Sequence, residues 1–113
     1  MDCLFCKIAN REIPSTAVYE DDLVYVFEDI NPEAPVHVLI IPKVHLDSLN
    51  DATEERRLLL GHIQWVASKI AKEKGLDKTG YRLVSNTGKD AQQSVPHLHY
   101  HLLGGRSMHW PPG

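Results

Sequence analysis

An α+β fold built on an antiparallel sheet is predicted by two residue patterns and by their order along the chain. Short runs rich in β-branched and aromatic residues come first, one long helical pattern fills the middle, and two further strand-like runs follow. Strands grouped on either side of a helix, without strict strand–helix alternation, favour this class over a parallel α/β arrangement. Five strands and one long helix in 113 residues make a single domain over residues 1–113, with enough apolar chain for one modest core.

The first strands are residues 17–20 (Ala-Val-Tyr-Glu) and 23–28 (Leu-Val-Tyr-Val-Phe-Glu), parted by Asp21-Asp22 as in a hairpin. The chain then turns through Asp29-Ile30-Asn31-Pro32, and Pro32 and Pro35 stiffen the connection. Residues 36–41 are almost continuously apolar, which predicts a strand buried on both faces and stopped by Pro42. His37 within it reads as a satisfied structural histidine.

Residues 51–74 carry the helical period. Leu59, Ile63, Val66, Ala67, Ile70 and Ala71 recur at intervals of three and four, and Glu55, Arg56, Lys69, Lys72 and Glu73 supply a wet face. Asp51 and Glu54 have the spacing of a capping box, and Gly75-Leu76 suits a left-handed stop with an apolar closing contact. Such a helix is about 36 Å long. His62 and Trp65 on it are assigned to packing or surface. Residues 81–86 form the fourth strand, and Thr87-Gly88-Lys89-Asp90 turns the chain back.

The fifth strand carries the chemistry. In Val95-Pro96-His97-Leu98-His99-Tyr100-His101-Leu102-Leu103 three histidines alternate, so an extended chain puts His97, His99 and His101 on one face, looking into one cleft. Neighbouring imidazoles are then roughly 6.6 Å apart and the outer pair roughly 13 Å, too far for three equal grips on one small ligand. That spread suits a division of labour, in which one ring attacks, another holds charge and the third serves structure. Two of them could also share a zinc ion with a third ligand from elsewhere, which keeps a catalytic metal as a competing reading.

Bulk properties narrow the partners. A formal charge of −3 leaves no basic footprint for nucleic acid or an acidic membrane, so small molecules or protein are the expected partners. No apolar run at the N-terminus is long enough for a signal peptide or a membrane span, and a cytoplasmic protein is expected. Cys3 and Cys6 cannot make a disulfide framework and read as a metal half-site or a redox pair.

The string His97-Leu98-His99-Tyr100-His101-Leu102-Leu103 resembles the signature of the histidine triad (HIT) family. The ending Gly104-Gly105-Arg106-Ser107-Met108-His109-Trp110-Pro111-Pro112-Gly113 resembles the C-terminus of its Hint branch, the purine nucleoside phosphoramidases. Ile13-Pro14, Glu20-Asp21-Asp22, Phe27-Glu28-Asp29-Ile30, Pro42-Lys43-Val44-His45 and Gln93-Ser94-Val95 extend the likeness over nearly the whole chain. The resemblance implies a five-stranded antiparallel sheet, one long helix and a short N-terminal helix. It also implies a homodimer whose sheets join edge to edge, with the long helix at the two-fold interface.

The implied activity is hydrolysis of the P–N bond of a purine nucleoside phosphoramidate to a nucleoside monophosphate, AMP or GMP, and an amine. An imidazole with its ordinary pKa near ~6.5 is largely neutral at pH 7 and can attack phosphorus directly. His99, flanked by histidines on its own face, is the natural nucleophile, and the resemblance gives it the same role. By resemblance His101 holds phosphate, and Ser94 with the backbone N–H groups around Gln93 and Val95 contacts phosphate and leaving group. Asn86 contacts the nucleotide, Phe27, Asp29 and Ile30 form the nucleoside pocket, and Trp110 reaches towards the partner's active site. Cys3, Cys6, His45 and His97 match the four ligands of a structural zinc site in many bacterial relatives, with no metal needed for catalysis. Ala91-Gln92 stands where the family commonly has glycines, a departure that bears on the phosphate loop. Dinucleoside polyphosphate hydrolysis, a non-catalytic nucleotide-binding scaffold and a zinc-dependent hydrolase are the alternatives.

Overall fold

The computed structural model describes residues 3–113, so Met1 and Asp2, the start of the expected N-terminal reading, lie outside the described residues. The strands are β1 (Ala17–Glu20), β2 (Val24–Glu28), β3 (Val36–Pro42), β4 (Tyr81–Val84) and β5 (Tyr100–Gly104). They form one five-stranded antiparallel sheet in the order β1-β2-β3-β5-β4. A short helix, α1 (Leu4–Ala9), precedes them, and the long helix, α2 (Arg57–Glu73), lies between β3 and β4 in sequence. No helix among the described residues is long and apolar enough to cross a membrane.

Strand alternation divides the interior in two. Val24 and Val26 on β2, Val38 and Ile40 on β3, and Tyr100 and Leu102 on β5 point to one face. There they meet the buried stripe Leu59, Ile63, Val66, Ala67, Ile70 and Ala71 of α2, the same six residues that carry the helical period. Tyr25, Phe27, Leu39 and Ile41 point to the other face and pack against Phe5 and Ile8 of α1. β3 lies at the centre of the sheet and is buried along both faces after Val36, as its unbroken apolar run predicts.

Several boundaries differ from expectation. α2 begins at Arg57 rather than Asp51, because Ser48 and Thr53 start two separate 3-10 turns, Leu49–Asp51 and Glu54–Arg56, ahead of it. The Asp51–Glu54 capping box does not form. Asp51 Oδ2 instead accepts the Asp47 N–H at 3.0 Å, and the 17-residue helix is about 26 Å long. At the other end the stop is as expected: Gly75 adopts φ +77° and Leu76 is buried. Leu76 lies so close to β5 that a Cβ on Gly104 would sit 2.7 Å from its Cδ1. β2 starts at Val24 rather than Leu23, and β4 ends at Val84, two residues early. The triad strand starts at Tyr100, three residues after His97, because its pairing with β3 runs only from Val36↔Gly104 to Ile40↔Tyr100. Pro42 carries no N–H to extend the ladder, and the Leu98 N–H goes to Leu46 O at 2.6 Å instead.

The hairpin turn is tied to α2 through one carboxylate. Asp21 Oδ1 accepts the N–H groups of Leu23 and Val24 at 2.8 and 2.9 Å, and Oδ2 accepts the Tyr19 hydroxyl at 2.9 Å and His62 Nε2 at 2.6 Å. His62 therefore does more than pack: it fastens the helix to the hairpin, with Trp65 stacked on its ring. Burial alone would push the Asp21 carboxyl up, but hydrogen bonds from Leu23, His62, Val24 and Tyr19 outweigh it and hold the pKa at about 2. A carboxyl depressed from 3.8 to about 2 adds stability that is fully present above the unfolded value and is lost as pH falls through the folded one. Asp21→Asn is therefore expected to lower unfolding free energy by about 2 kcal/mol at pH 7. In urea titrations the gap from the parent should narrow steadily below pH 4.

Candidate active site and metal centre

On the α1 side of the sheet a cavity of about 720 Å³ opens between α1, the Ile13–Thr16 segment, the end of β2 and the start of β5. Its walls are apolar: Phe5 and Ile8 from α1, Ile13, Phe27 and Leu39. His99, His101, Ser94 and Asp29 add the polar groups. A cavity of this size, largely apolar with a few convergent polar atoms, fits a nucleoside-sized ligand. Of the residues singled out from sequence, Phe27, Asp29, Ile30, Ser94, Val95, His99 and His101 line it. Ile30 stands at the rim, 91 % exposed.

Asn86, Gln93 and Trp110 do not line it. The Gln93 side chain accepts the Gly88 N–H at 3.0 Å and donates to Asp47 O at 2.6 Å and Val95 O at 3.0 Å. Its backbone N–H is spent on Gly88 O, whereas the N–H groups of Ser94 and Val95 find no partner among the described residues. Trp110 is 81 % exposed, next to Arg82, whose guanidinium donates to His109 O and lies 5.9 Å from the indole centre. Gln92 adopts φ 59°, a left-handed conformation that glycine takes without penalty. The departure from the family's glycines therefore falls on a position that wants one.

The three triad histidines do not share one cleft. His99 and His101 do, with ring centres 5.1 Å apart, and Phe5 stands edge-on to His99 at 5.1 Å. His97 is fully buried and turns towards Cys3, Cys6 and His45. The cause is that the chain at His97 has left the sheet, so strand alternation no longer governs its side chain.

Hydrogen bonds fix the protons on the cavity histidines. His99 Nδ1 lies 2.7 Å from His97 O, an acceptor only, so Nδ1 carries the proton and Nε2 keeps its lone pair. His37 is the satisfied structural histidine that the sequence suggests, buried and fully hydrogen-bonded, and its partners connect it to the cavity residue His101. His37 Nδ1 accepts the Glu33 N–H at 3.0 Å, so its own proton is on Nε2, 2.9 Å from His101 Nδ1 and 3.3 Å from Asp29 Oδ2. His101 Nδ1 is then an acceptor, and its proton sits on Nε2. Burial, with the adjacent His99 and His37, pushes His101 down to about 4 against the opposing pull of Asp29, so His101 is a neutral donor at pH 7. Asp29, His37 and His101 lie close enough to hold a cation, but His37 has one nitrogen committed to Glu33 and a proton on the other. They fit a hydrogen-bonded chain better. The clue in the sequence was position: His37 and Leu39 alternate on the strand that pairs with His101.

The second cluster does fit a metal. One ligand atom from each of Cys3, Cys6, His45 and His97 lies within 4.8 Å of the others. Cys3 Sγ–His97 Nδ1 is 3.3 Å, Cys6 Sγ–His45 Nδ1 3.4 Å, Cys6 Sγ–His97 Nδ1 3.5 Å and His45 Nδ1–His97 Nδ1 3.1 Å. A tetrahedron with zinc–sulfur and zinc–nitrogen bonds of ordinary length has edges of about 3.6 Å (S–N) and about 3.3 Å (N–N). Both imidazoles are oriented from behind, His97 Nε2 on Pro42 O at 2.9 Å and His45 Nε2 on Asp47 Oδ1 at 2.6 Å. Each Nδ1 then presents a lone pair to the other, an arrangement that a cation relieves and a hydrogen bond cannot. Burial, the hydrogen bond to Cys3 and repulsion from it push the Cys6 thiol up to about 11, so a metal would have to displace its proton on binding.

Comparison with known proteins agrees with this architecture. The family model described as scavenger mRNA decapping enzyme C-terminal binding matches residues 2–110. A HIT family hydrolase from Legionella pneumophila superposes with a TM-score of 0.97 at 52 % identity, covering 99 % of this chain and 100 % of that one. The chain belongs to the HIT family. The histidine triad nucleotide-binding protein of Candida albicans has a TM-score of 0.83 at 38 % identity, covering 97 % of this chain and 83 % of that one. A 14 kDa zinc-binding protein from Zea mays is 54 % identical over 112 residues, 97 % of this HIT chain and 87 % of the maize protein.

The hydrogen-bond scheme makes a spectroscopic prediction. Nitrogen NMR of the imidazoles is expected to find His99 protonated at Nδ1 and His101 at Nε2. His37→Phe should release His101 into a mixture of tautomers while leaving His99 unchanged. A His101 signal that ignores the substitution would contradict the assignment.

Proposed function

We propose that this HIT protein hydrolyses the P–N bond of purine nucleoside phosphoramidates, with His99 as nucleophile. The observation that carries the reading is the His99 Nδ1–His97 O hydrogen bond at 2.7 Å, which leaves the Nε2 lone pair free beside a nucleoside-sized cavity. His99 Nε2 attacks phosphorus, the P–N bond breaks, and the amine leaves with a proton, because an amide anion is too basic to depart. The ring of the nucleotidyl-histidine is an imidazolium, and the His97 carbonyl steadies the proton on its Nδ1. Water then attacks phosphorus, the P–Nε2 bond breaks, the nucleoside monophosphate is released, and the proton that water gives up replaces the one taken by the amine.

Each further residue has a physical task. The neutral His101 Nε2–H and the unpartnered N–H groups of Ser94 and Val95 suit the phosphoryl oxygens, and the Ser94 hydroxyl suits the leaving amine. Phe27 and Ile30 flank the base, and the Asp29 carboxylate suits the ribose hydroxyls. Asn86 and Trp110 lie away from the cavity within one chain; for Trp110 the role fits a partner subunit's site. The likeness to a HIT hydrolase and to a nucleotide-binding HIT protein supports the reading.

Cys3, Cys6, His45 and His97 would hold a structural zinc ion that fastens α1 to the triad segment. Four protein ligands close the coordination shell and leave no position for substrate, which disfavours the zinc-dependent hydrolase. The unpaired edge of β4 and the exposed Leu58 and Trp65 on α2, 88 % and 55 % accessible, favour a homodimer. The two cysteines suit a reducing compartment, hence the cytoplasm.

His99→Gly is expected to cut turnover of adenosine phosphoramidate by about a thousandfold or more while AMP affinity changes only a few-fold. With a chiral phosphorothioate the parent enzyme should give net retention at phosphorus; inversion would rule out the covalent route. Faster turnover of a diadenosine polyphosphate would move the protein to that branch, and binding without turnover of either substrate would make it a scaffold. Native mass spectrometry of protein purified without added metal is expected to find a dimer with one zinc ion per chain. A monomer would refute the first part and a metal-free dimer the second.

A further inference from the structure

The metal centre and the loop that faces substrate are joined by a closed ring of contacts that uses one side chain twice. His45 Nε2 holds Asp47 Oδ1 at 2.6 Å, and the main-chain carbonyl of the same Asp47 accepts Gln93 Nε2 at 2.6 Å. The Gln93 amide also donates to Val95 O at 3.0 Å, and that carbonyl accepts the His97 N–H at 2.8 Å. His97 returns to His45 across the cluster, Nδ1 to Nδ1 at 3.1 Å. Gln93 Oε1 meanwhile takes the Gly88 N–H at 3.0 Å, which closes the loop that precedes Ser94. Gln93 is thus not on the cavity, yet it bonds directly to Val95, which lines it together with the intervening Ser94.

We propose that Gln93 is a positioning residue that couples metal occupancy to nucleotide affinity. The inference rests on the metal and nucleotide readings above and goes beyond both. A cation held between His45 and His97 locks both rings, and so fixes Asp47 and Val95 at the two ends of the Gln93 amide. The amide then holds the Ser94 and Val95 N–H groups where phosphate needs them. Coupling of this kind is reciprocal: if the metal tightens nucleotide binding, nucleotide tightens metal binding by the same factor.

The experiment measures the zinc dissociation constant of the whole protein by chelator competition, with and without saturating AMP. In the parent, AMP is expected to tighten zinc binding about fivefold or more. In Gln93→Leu that factor should fall to about one, whatever the absolute affinity, because the brace has lost both donors. Gln93→Glu, which keeps the acceptor for Gly88 but has no donor for Asp47 or Val95, provides the same test should the leucine variant fold poorly. Zinc affinity that ignores AMP in a parent that binds both would overturn the inference alone, as would full coupling in both variants. A chain that takes up no zinc would overturn the metal reading with it, and one that binds no AMP the nucleotide reading.

Discussion

The register of β3 against β5 is the constraint on which the site depends. With Leu39 opposite His101 and His37 opposite Leu103, His37 and His101 are diagonal neighbours on the cavity face, and their rings meet at 2.9 Å. A slip of one residue would carry His101 to the α2 side, among Ile63, Val66 and Ile70, and leave the cavity without its donor. The apolar alternation of β3 prevents this, since Val38 and Ile40 must face the helix while Leu39 and Ile41 face α1. Hydrophobic burial on one face therefore sets the chemistry on the other.

Where that pairing stops, the chain does two things with one peptide. The ring of His97 turns into the cysteine cluster, and its carbonyl receives the proton of His99. Neither is open to a residue inside the ladder, whose carbonyl would be taken by a neighbouring strand and whose side chain would keep the strand's alternation. The early end of the sheet thus frees the backbone acceptor that sets the nucleophile's tautomer.

Much of this was legible in the chain. The strands, the α2 stripe and the Gly75-Leu76 stop follow from local periodicity and turn chemistry, and the four-ligand cluster follows from the HIT resemblance. The misreadings share a physical cause. The start of α2, the start of β5 and the side on which His97 lies are all decided by hydrogen bonds to distant residues: Asp51 to Asp47, Leu98 to Leu46 and His97 to Pro42. A window of neighbouring residues carries no sign of them. His37 is the satisfied structural histidine that its apolar run suggests, but its partner His101 shows only once the register is known. The resemblance points the backbone N–H groups around Gln93 at phosphate, whereas the Gln93 N–H and side chain both bond back into the protein.

The cavity wall formed by α1 has an unusual mechanical standing. Six residues are far too few to hold a helix by their own backbone hydrogen bonds, so α1 borrows its order from what it touches. Those contacts are Phe5 and Ile8 against one sheet face, and Cys3 and Cys6 against the two histidines. The wall therefore keeps its shape through packing and the cysteine–histidine contacts rather than through the helix itself. Loosening at Cys3 and Cys6 would therefore reach the substrate side, as a wider and less apolar mouth to the cavity.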